Sequence, residues 1–420
     1  MNQAAPNNFF AQPLHGGGHT TAFLARPLPW GLWLWWALTL VLVWGLLPLP
    51  VSAADQTKPR SGLAQQRLTK TIHDSGPAYG QRPEAMALAD DIAQRHALDR
   101  AWVRRAIARA HQVPQLAQLM LPPPSTSPKN WRQYRLRFVE PDRIQAGVAF
   151  WLAHRDALAR AEAAYGVPAE IVVGVIGVET YFGRLTGRYR VIDVLATLAL
   201  DFPPEHPRAA ARTAFFRAEL GELLALKKTT GIDPLQLRGS YAGALGIPQF
   251  MPSSWARYAV DFDADDRIDL LGSTADAIGS VAHYLKSHGW QPGMPTHYAV
   301  AFDPERLDLP MLLAPDIQPS FSADQMMTKG VLLDAAGRQH LAPLALVELQ
   351  NGDAAPSYVA GTENFYAVTR YNWSSYYAMA VIELGRAVAV ALPAQASNTS
   401  SNTGCSASTQ LSTSARPICR

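Results

Sequence analysis

The sequence predicts a mainly α protein (α+β), with an N-terminal helical part and a small β-containing insert. Apolar residues recur at helical spacing across 82–120, 147–228, 274–288 and 375–392. By contrast, 296–358 breaks into short apolar runs, at 298–302 and 344–349, parted by prolines as short strands are. No internal repeat is visible, and 420 residues suffice for a substantial core and two or three domains. The net charge of +3 and 17% charged residues suit an anionic polymer. There is no long basic run and no zinc-spaced Cys/His set, which argues against nucleic acid and zinc.

Taken in order, 1–53 read as a leader. Arg26 precedes an apolar stretch over 30–50, and Val51-Ser52-Ala53 fits signal-peptidase cleavage before Ala54. Cleaved signal and retained N-terminal anchor both stand, since the stretch is long for a signal core. No cysteine lies near it, so a lipid anchor is not expected. Residues 54–81 are polar and read as a linker. A helical part follows over about 82–150, interrupted by Pro122-Pro123-Pro124. Core helices are expected over about 151–295 and 359–393, with the β insert at about 296–358 between them. The tail 394–420 is rich in Ser and Thr and holds Cys405 and Cys419. In an exported chain these two could close one small loop, though a disordered tail is the plainer reading.

Three local patterns carry chemistry. The first is Ile171-Val172-Val173-Gly174-Val175-Ile176-Gly177-Val178-Glu179, opened by Pro168 and Glu170 and followed by Gly183 as a helix stop. A helix apolar on nearly every side is buried. Its one terminal carboxylate is then desolvated and its pKa raised, the condition of a general acid near neutral pH. The alternative is a glutamate that is exposed or paired with Arg184. The second pattern is the stretch 239–255, whose Gly239, Gly243 and Gly246 let a ligand approach the backbone while Ser240, Tyr241 and Gln249 offer polar groups. A loop that merely joins two helices is its alternative.

The third is Asp261-Phe262-Asp263-Ala264-Asp265-Asp266-Arg267-Ile268-Asp269. Asp261, Asp263, Asp265 and Asp269 occupy the first, third, fifth and ninth positions of an EF-hand-like loop, and Arg267 offers its main-chain carbonyl at the seventh. Such hard oxygens suit calcium. Against it stand Asp266 where glycine is usual and Gly272 where a bidentate Glu is usual. Asp276 either supplies the missing ligand or caps the next helix.

Together these patterns resemble the membrane-bound lytic transglycosylase B family, over about 131–391. The resemblance includes Asn130-Trp131-Arg132-Gln133-Tyr134, Gly177-Val178-Glu179-Thr180, Ile192-Asp193-Val194-Leu195-Ala196-Thr197-Leu198 and the Gly239 loop. It continues through Ala275-Asp276-Ala277-Ile278-Gly279, Arg370-Tyr371-Asn372 and Tyr377-Ala378-Met379-Ala380. It implies a lysozyme-like core and an exported, periplasmic enzyme that cuts the β-1,4 bond between N-acetylmuramic acid and N-acetylglucosamine. Peptidoglycan strands would be the partner, with inner-membrane association through the N-terminal segment and a monomeric state. Calcium at the acidic loop would be structural, and no cofactor would be required for the chemistry.

A typical glycosidase needs two carboxyls. Here Glu179 alone stands out, because Asp193 lies in a helical pattern that suits capping or pairing. The resemblance implies that Glu179 acts first as acid and then as base, forming a 1,6-anhydromuramyl end without water. By motif position it also implies Ser240, Gln249, Tyr134, Tyr284, Tyr371, Asn372 and Tyr377 as substrate contacts. A water-using muramidase and a non-catalytic peptidoglycan-binding protein are the competing readings.

Overall fold

A computed structural model describes residues 76–122 and 128–393. The leader, the linker as far as Ser75, and the tail with Cys405 and Cys419 lie outside these residues. The described chain is mainly helical, with one small four-stranded sheet and a two-stranded pair.

Helices α1 (Pro83–Arg95), α2 (Arg100–Ala108) and α3 (Gln115–Met120) form the N-terminal part. Pro83 at the first position and the Asp99 cap on α2, accepting from Trp102 N, start the first two. This part is fastened to α8 (Val191–Leu200) by polar contacts. The Tyr79 hydroxyl donates to Asp201 at 2.6 Å, the Thr197 hydroxyl oxygen accepts from Val113 N at 3.0 Å, and Asp193 accepts from His111 N at 3.0 Å. Asp193 is also paired with Arg190 at 3.3 Å, so it serves the scaffold.

After α4 (Trp131–Arg135), α5 (Pro141–Ala153) and α6 (Arg155–Tyr165) comes α7 (Ala169–Thr180), with eleven of its twelve residues buried. Its main neighbour is the final helix, α16 (Ser375–Ala391). Glycine permits that approach from both sides. A Cβ on Gly174 would stand 2.2 Å from the Val381 carbonyl oxygen, and one on Gly385 would stand 2.1 Å from that of Glu170. The long α9 (Ala209–Thr230) covers α8, and α10 (Pro252–Tyr258) and α11 (Thr274–Ser287) complete the core.

The strand pair β1 (Tyr189–Arg190) and β2 (Arg238–Gly239) leads into the glycine-rich loop. The sheet consists of β3 (His297–Phe302), β4 (Val331–Leu333), β5 (Ala345–Asn351) and β6 (Ala354–Gly361), in antiparallel order β4-β3-β6-β5. Three short helices lie among these strands: α12 (Leu309–Leu313), α13 (Ala323–Thr328) and α14 (Ala335–Arg338). They help build a second small core around Leu312, Met326, Leu333 and Leu346. The chain returns through α15 (Glu363–Asn372) to α16. Among the described residues no single helix is long and apolar enough to cross a membrane.

Candidate active site

Glu179 lies in the last turn of α7, in a residue only 8% exposed. Burial pushes its carboxyl up from the ordinary range to about 7, an effect tempered by the nearby Tyr377 hydroxyl. Arg184 does not pair with it; that side chain is exposed and lies over the Tyr181 ring at 5.3 Å. The helix stops earlier than Gly183 suggests. Tyr181 and Phe182 take left-handed conformations, at φ +51° and +60°, in immediate succession. Two such non-glycine residues beside an acid are strain held in place by their surroundings.

Three side chains hold this turn. The Thr180 hydroxyl donates to the Ile247 carbonyl at 2.8 Å and accepts from Gly183 N at 2.9 Å. The Phe182 ring fills the space that a Cβ on Gly147 or Gly177 would enter. Arg143, 8% exposed, donates to the Gly177 carbonyl at 2.9 Å and lies over the Tyr181 ring at 4.6 Å. Arg143 was legible and unread: it shares the buried stripe of α5 with Ala146, Gly147 and Phe150, and a charge there is the signal.

The four tyrosines expected from the sequence gather around Glu179, whose charge acts on the hydroxyls of Tyr134, Tyr284, Tyr371 and Tyr377 and helps push all four pKa values up. Burial is the larger cause in each case, so these phenols stay protonated and can donate. Tyr371 stacks with Tyr377 at 6.2 Å and meets Tyr284 at 4.8 Å. The Tyr371 hydroxyl donates to the Pro248 carbonyl at 2.6 Å and that of Tyr284 to the Arg370 carbonyl at 2.8 Å. The Tyr377 hydroxyl is buried and faces the Glu179 carboxyl closely enough to lower its raised pKa, though no well-formed hydrogen bond joins them. The Asn372 side-chain oxygen is also buried and unpartnered.

The 239–255 loop is folded tightly upon itself. The Ser240 oxygen accepts from Ala242 N at 3.2 Å and Ala244 N at 3.0 Å, which leaves its proton to donate elsewhere. Gln249, at φ +52°, uses its amide nitrogen on the Thr186 and Gly246 carbonyls at 3.1 and 2.9 Å. Its nitrogen therefore fastens the loop beside the end of α7.

Other buried carboxylates contrast with Glu179. Glu219 accepts from the Ser253 backbone and hydroxyl at 2.9 and 2.6 Å, and Asp193 is paired as described. Glu179 thus combines burial, a raised pKa and an unsatisfied surrounding, which equips it to give up and retake a proton.

The acidic loop brings Asp261, Asp263 and Asp276 together, with carboxylate oxygens within 4.8 Å of one another. Asp265 stands outside that group, its carboxylate accepting from Arg267 N at 2.9 Å. Asp266 takes φ +65°, assuming the conformation that glycine usually supplies there. Asp276 is fully buried and accepts from Phe262 N at 2.7 Å and Asp269 N at 2.8 Å. It does not cap α11; Ser273 does. No arginine or lysine among the described residues pairs with Asp261, Asp263 or Asp276. The cluster fits a hard dication held by oxygens.

Comparison with known proteins gives the family. The family described as Transglycosylase SLT domain matches residues 80–386. Membrane-bound lytic murein transglycosylase B of Escherichia coli (strain K12) is 37% identical over 353 residues, 82% of this chain and 93% of that protein. The Escherichia coli lytic transglycosylase SLT35, solved in complex with calcium, is 38% identical with a TM-score of 0.65. That match covers 76% of this chain and 98% of SLT35. Soluble lytic transglycosylase SltB1 of Pseudomonas aeruginosa is also 38% identical, with a TM-score of 0.64 over 74% of this chain and 99% of its own. The lysozyme-like, mainly helical fold expected from the sequence holds.

Proposed function

The chain belongs to the transglycosylase SLT family, and on that premise we propose how it works as a lytic transglycosylase on peptidoglycan. The observation that carries the reading is the buried Glu179, with a carboxyl pushed to about 7 and no second carboxylate among the described residues acting on it. Protonated Glu179 donates to the glycosidic oxygen between N-acetylmuramic acid and N-acetylglucosamine. The muramyl 2-acetamido carbonyl supports the anomeric carbon as the leaving sugar departs. Glu179, now a carboxylate, takes the proton of the same sugar's 6-hydroxyl, whose oxygen closes on the anomeric carbon. One carboxyl thereby serves as acid and then as base, and the product carries a 1,6-anhydro ring.

Around it, Ser240 is free to donate its proton to the acetamido group, and the open oxygen of Asn372 accepts from substrate. Gln249 presents its remaining amide oxygen to the glycan. Tyr134, Tyr284, Tyr371 and Tyr377 line the acid, exclude water and keep its carboxyl neutral. Residues 82–393 form the catalytic region. Asp261, Asp263 and Asp276 would hold a structural calcium ion, with the Arg267 carbonyl as a further ligand and Asp265, which now accepts from Arg267 N, able to join only after turning inward. Calcium in the related SLT35 supports this. Residues 1–53 direct export to the periplasmic face of the membrane, where the murein lies.

Mass spectrometry of digested peptidoglycan tests the reading. Anhydromuramyl ends are expected from the wild type and none from Glu179→Gln. Reducing muramyl ends would instead make it a hydrolase, and absence of any product from folded protein would leave a binding protein.

A further inference from the structure

Arg370 occupies the last turn of α15, half-buried, immediately before Tyr371 and Asn372. Its guanidinium lies over the Trp373 ring at 4.2 Å and donates to the Tyr366 hydroxyl at 3.3 Å. No carboxylate among the described residues pairs with it. The Arg135 guanidinium, by contrast, is paired with Glu383, and that of Arg82 with Glu84 and Asp201. The Tyr284 hydroxyl donates to the Arg370 carbonyl at 2.8 Å while its ring meets that of Tyr371 at 4.8 Å, which sets Arg370 at the edge of the tyrosine cluster around Glu179. Beside it His288 stacks on Tyr284 at 4.0 Å, and Tyr258 meets Tyr284 at 5.0 Å. Burial, helped by the Arg370 charge, pushes the His288 pKa down, and Arg370 is the positive charge set in this aromatic rim.

A guanidinium seated over an indole and tied by one nitrogen to a hydroxyl keeps its remaining N–H donors for a carboxylate, and less side-chain entropy remains to be lost on binding. The substrate supplies that group. A muramyl ring bound at Glu179 carries its lactyl arm on C3, two bonds from the anomeric carbon. The arm ends either in its own carboxylate or in a stem peptide bearing several. We propose that Arg370, seated on Trp373, forms a subsite for a carboxylate on the muramyl side arm and makes the enzyme selective for acid-bearing strands. This rests on the peptidoglycan-cleaving reading above.

The test compares the full-length wild type with Arg370→Gln on three glycans: peptide-bearing strands, strands stripped of peptide by an amidase, and stripped strands with lactyl carboxylates converted to neutral amides. Arg370→Gln is expected to lower kcat/KM about tenfold on acid-bearing strands and to spare the neutral ones. A loss confined to peptide-bearing strands assigns the subsite to the peptide, and an equal loss on the stripped acid to the lactyl group. Equal losses on all three glycans, or none on any, would overturn the proposal. Should Arg370→Gln unfold, Arg370→Lys keeps the charge without the fork and should show the same order with a smaller loss. Failure of the wild type to release anhydromuramyl product from any glycan would instead overturn the underlying function.

Discussion

Two carboxylates of this chain lose their water on folding, Glu179 at the end of α7 and Asp276 in the first turn of α11, and they finish in opposite circumstances. Asp276 receives the backbone N–H groups of Phe262 and Asp269 and two further aspartates around a shared point. Among the described residues Glu179 receives no backbone donor, and the Tyr377 hydroxyl that tempers its pKa makes no well-formed hydrogen bond to it. Burial raises both pKa values, so burial does not separate an acid that reacts from one that supports. The difference lies in whether the fold has already satisfied the oxygens. A satisfied carboxylate holds structure, and an unsatisfied one is left for a substrate.

The largest expected effect comes from removing the reactive member. Glu179→Gln should lower anhydromuramyl release by about a thousandfold, while its melting temperature stays equal to the wild type's or rises. A thermal scan beside the product assay checks both halves.

Stability against pH sharpens the same contrast. Glu179 binds its proton more tightly folded, near 7, than unfolded, near 4.5. Its contribution is therefore complete below about 4.5 and is lost as pH rises through about 7, an effect on the order of 3 kcal/mol. Denaturant midpoints measured from pH 4 to 8 should show this slope in the wild type and a flatter one in Glu179→Gln. Turnover should fall over the same upper range as the acid loses its proton.

Asp276→Ala should do the reverse of Glu179→Gln. Leaving the Phe262 and Asp269 N–H groups without their acceptor should cost about 2–3 kcal/mol of stability, with turnover per folded molecule little changed. Chelating calcium should lower the wild-type melting temperature and leave that of Asp276→Ala unmoved. A tenfold loss of turnover in this variant at full folding would break the distinction between the two regions.

The smallest effect is expected from Tyr377→Phe. It removes a hydroxyl with no well-formed hydrogen bond, so stability should hold, and turnover should drop about tenfold because Glu179 loses the hydroxyl that supports its ionised form. Its pH-rate limb should move upward, since that hydroxyl tempers the raised pKa of the acid.

These contrasts also explain what could be read in advance. Glu179 was legible because a single acid in an apolar run has few other uses, and the α7 and α16 helices because their apolar runs exceed any strand. The tyrosines were legible only through family resemblance; a tyrosine in a helix such as α11 looks like core until the acid it faces is known. Strand β6 escaped notice because Ala354-Ala355-Pro356 opens it without a β-branched residue, and its pairing with β3 and β5 is a tertiary fact. The left-handed Tyr181 and Phe182 gave no local sign, since glycine is the usual mark of that conformation. Gln249 stands out in the sequence as a polar group of the glycine-rich loop, but the bonds that tie its nitrogen to the Thr186 and Gly246 carbonyls do not.

The central claim, that Glu179 stays protonated because nothing in the fold satisfies its charge, is tested most directly by infrared difference spectroscopy. Wild type minus Glu179→Gln, recorded from pH 4 to 9, should show a protonated carboxyl band that disappears with a midpoint near 7. A midpoint at the ordinary carboxylate value, near 4.5, would contradict the account, because the carboxyl would then be ionised where the enzyme must use it as an acid.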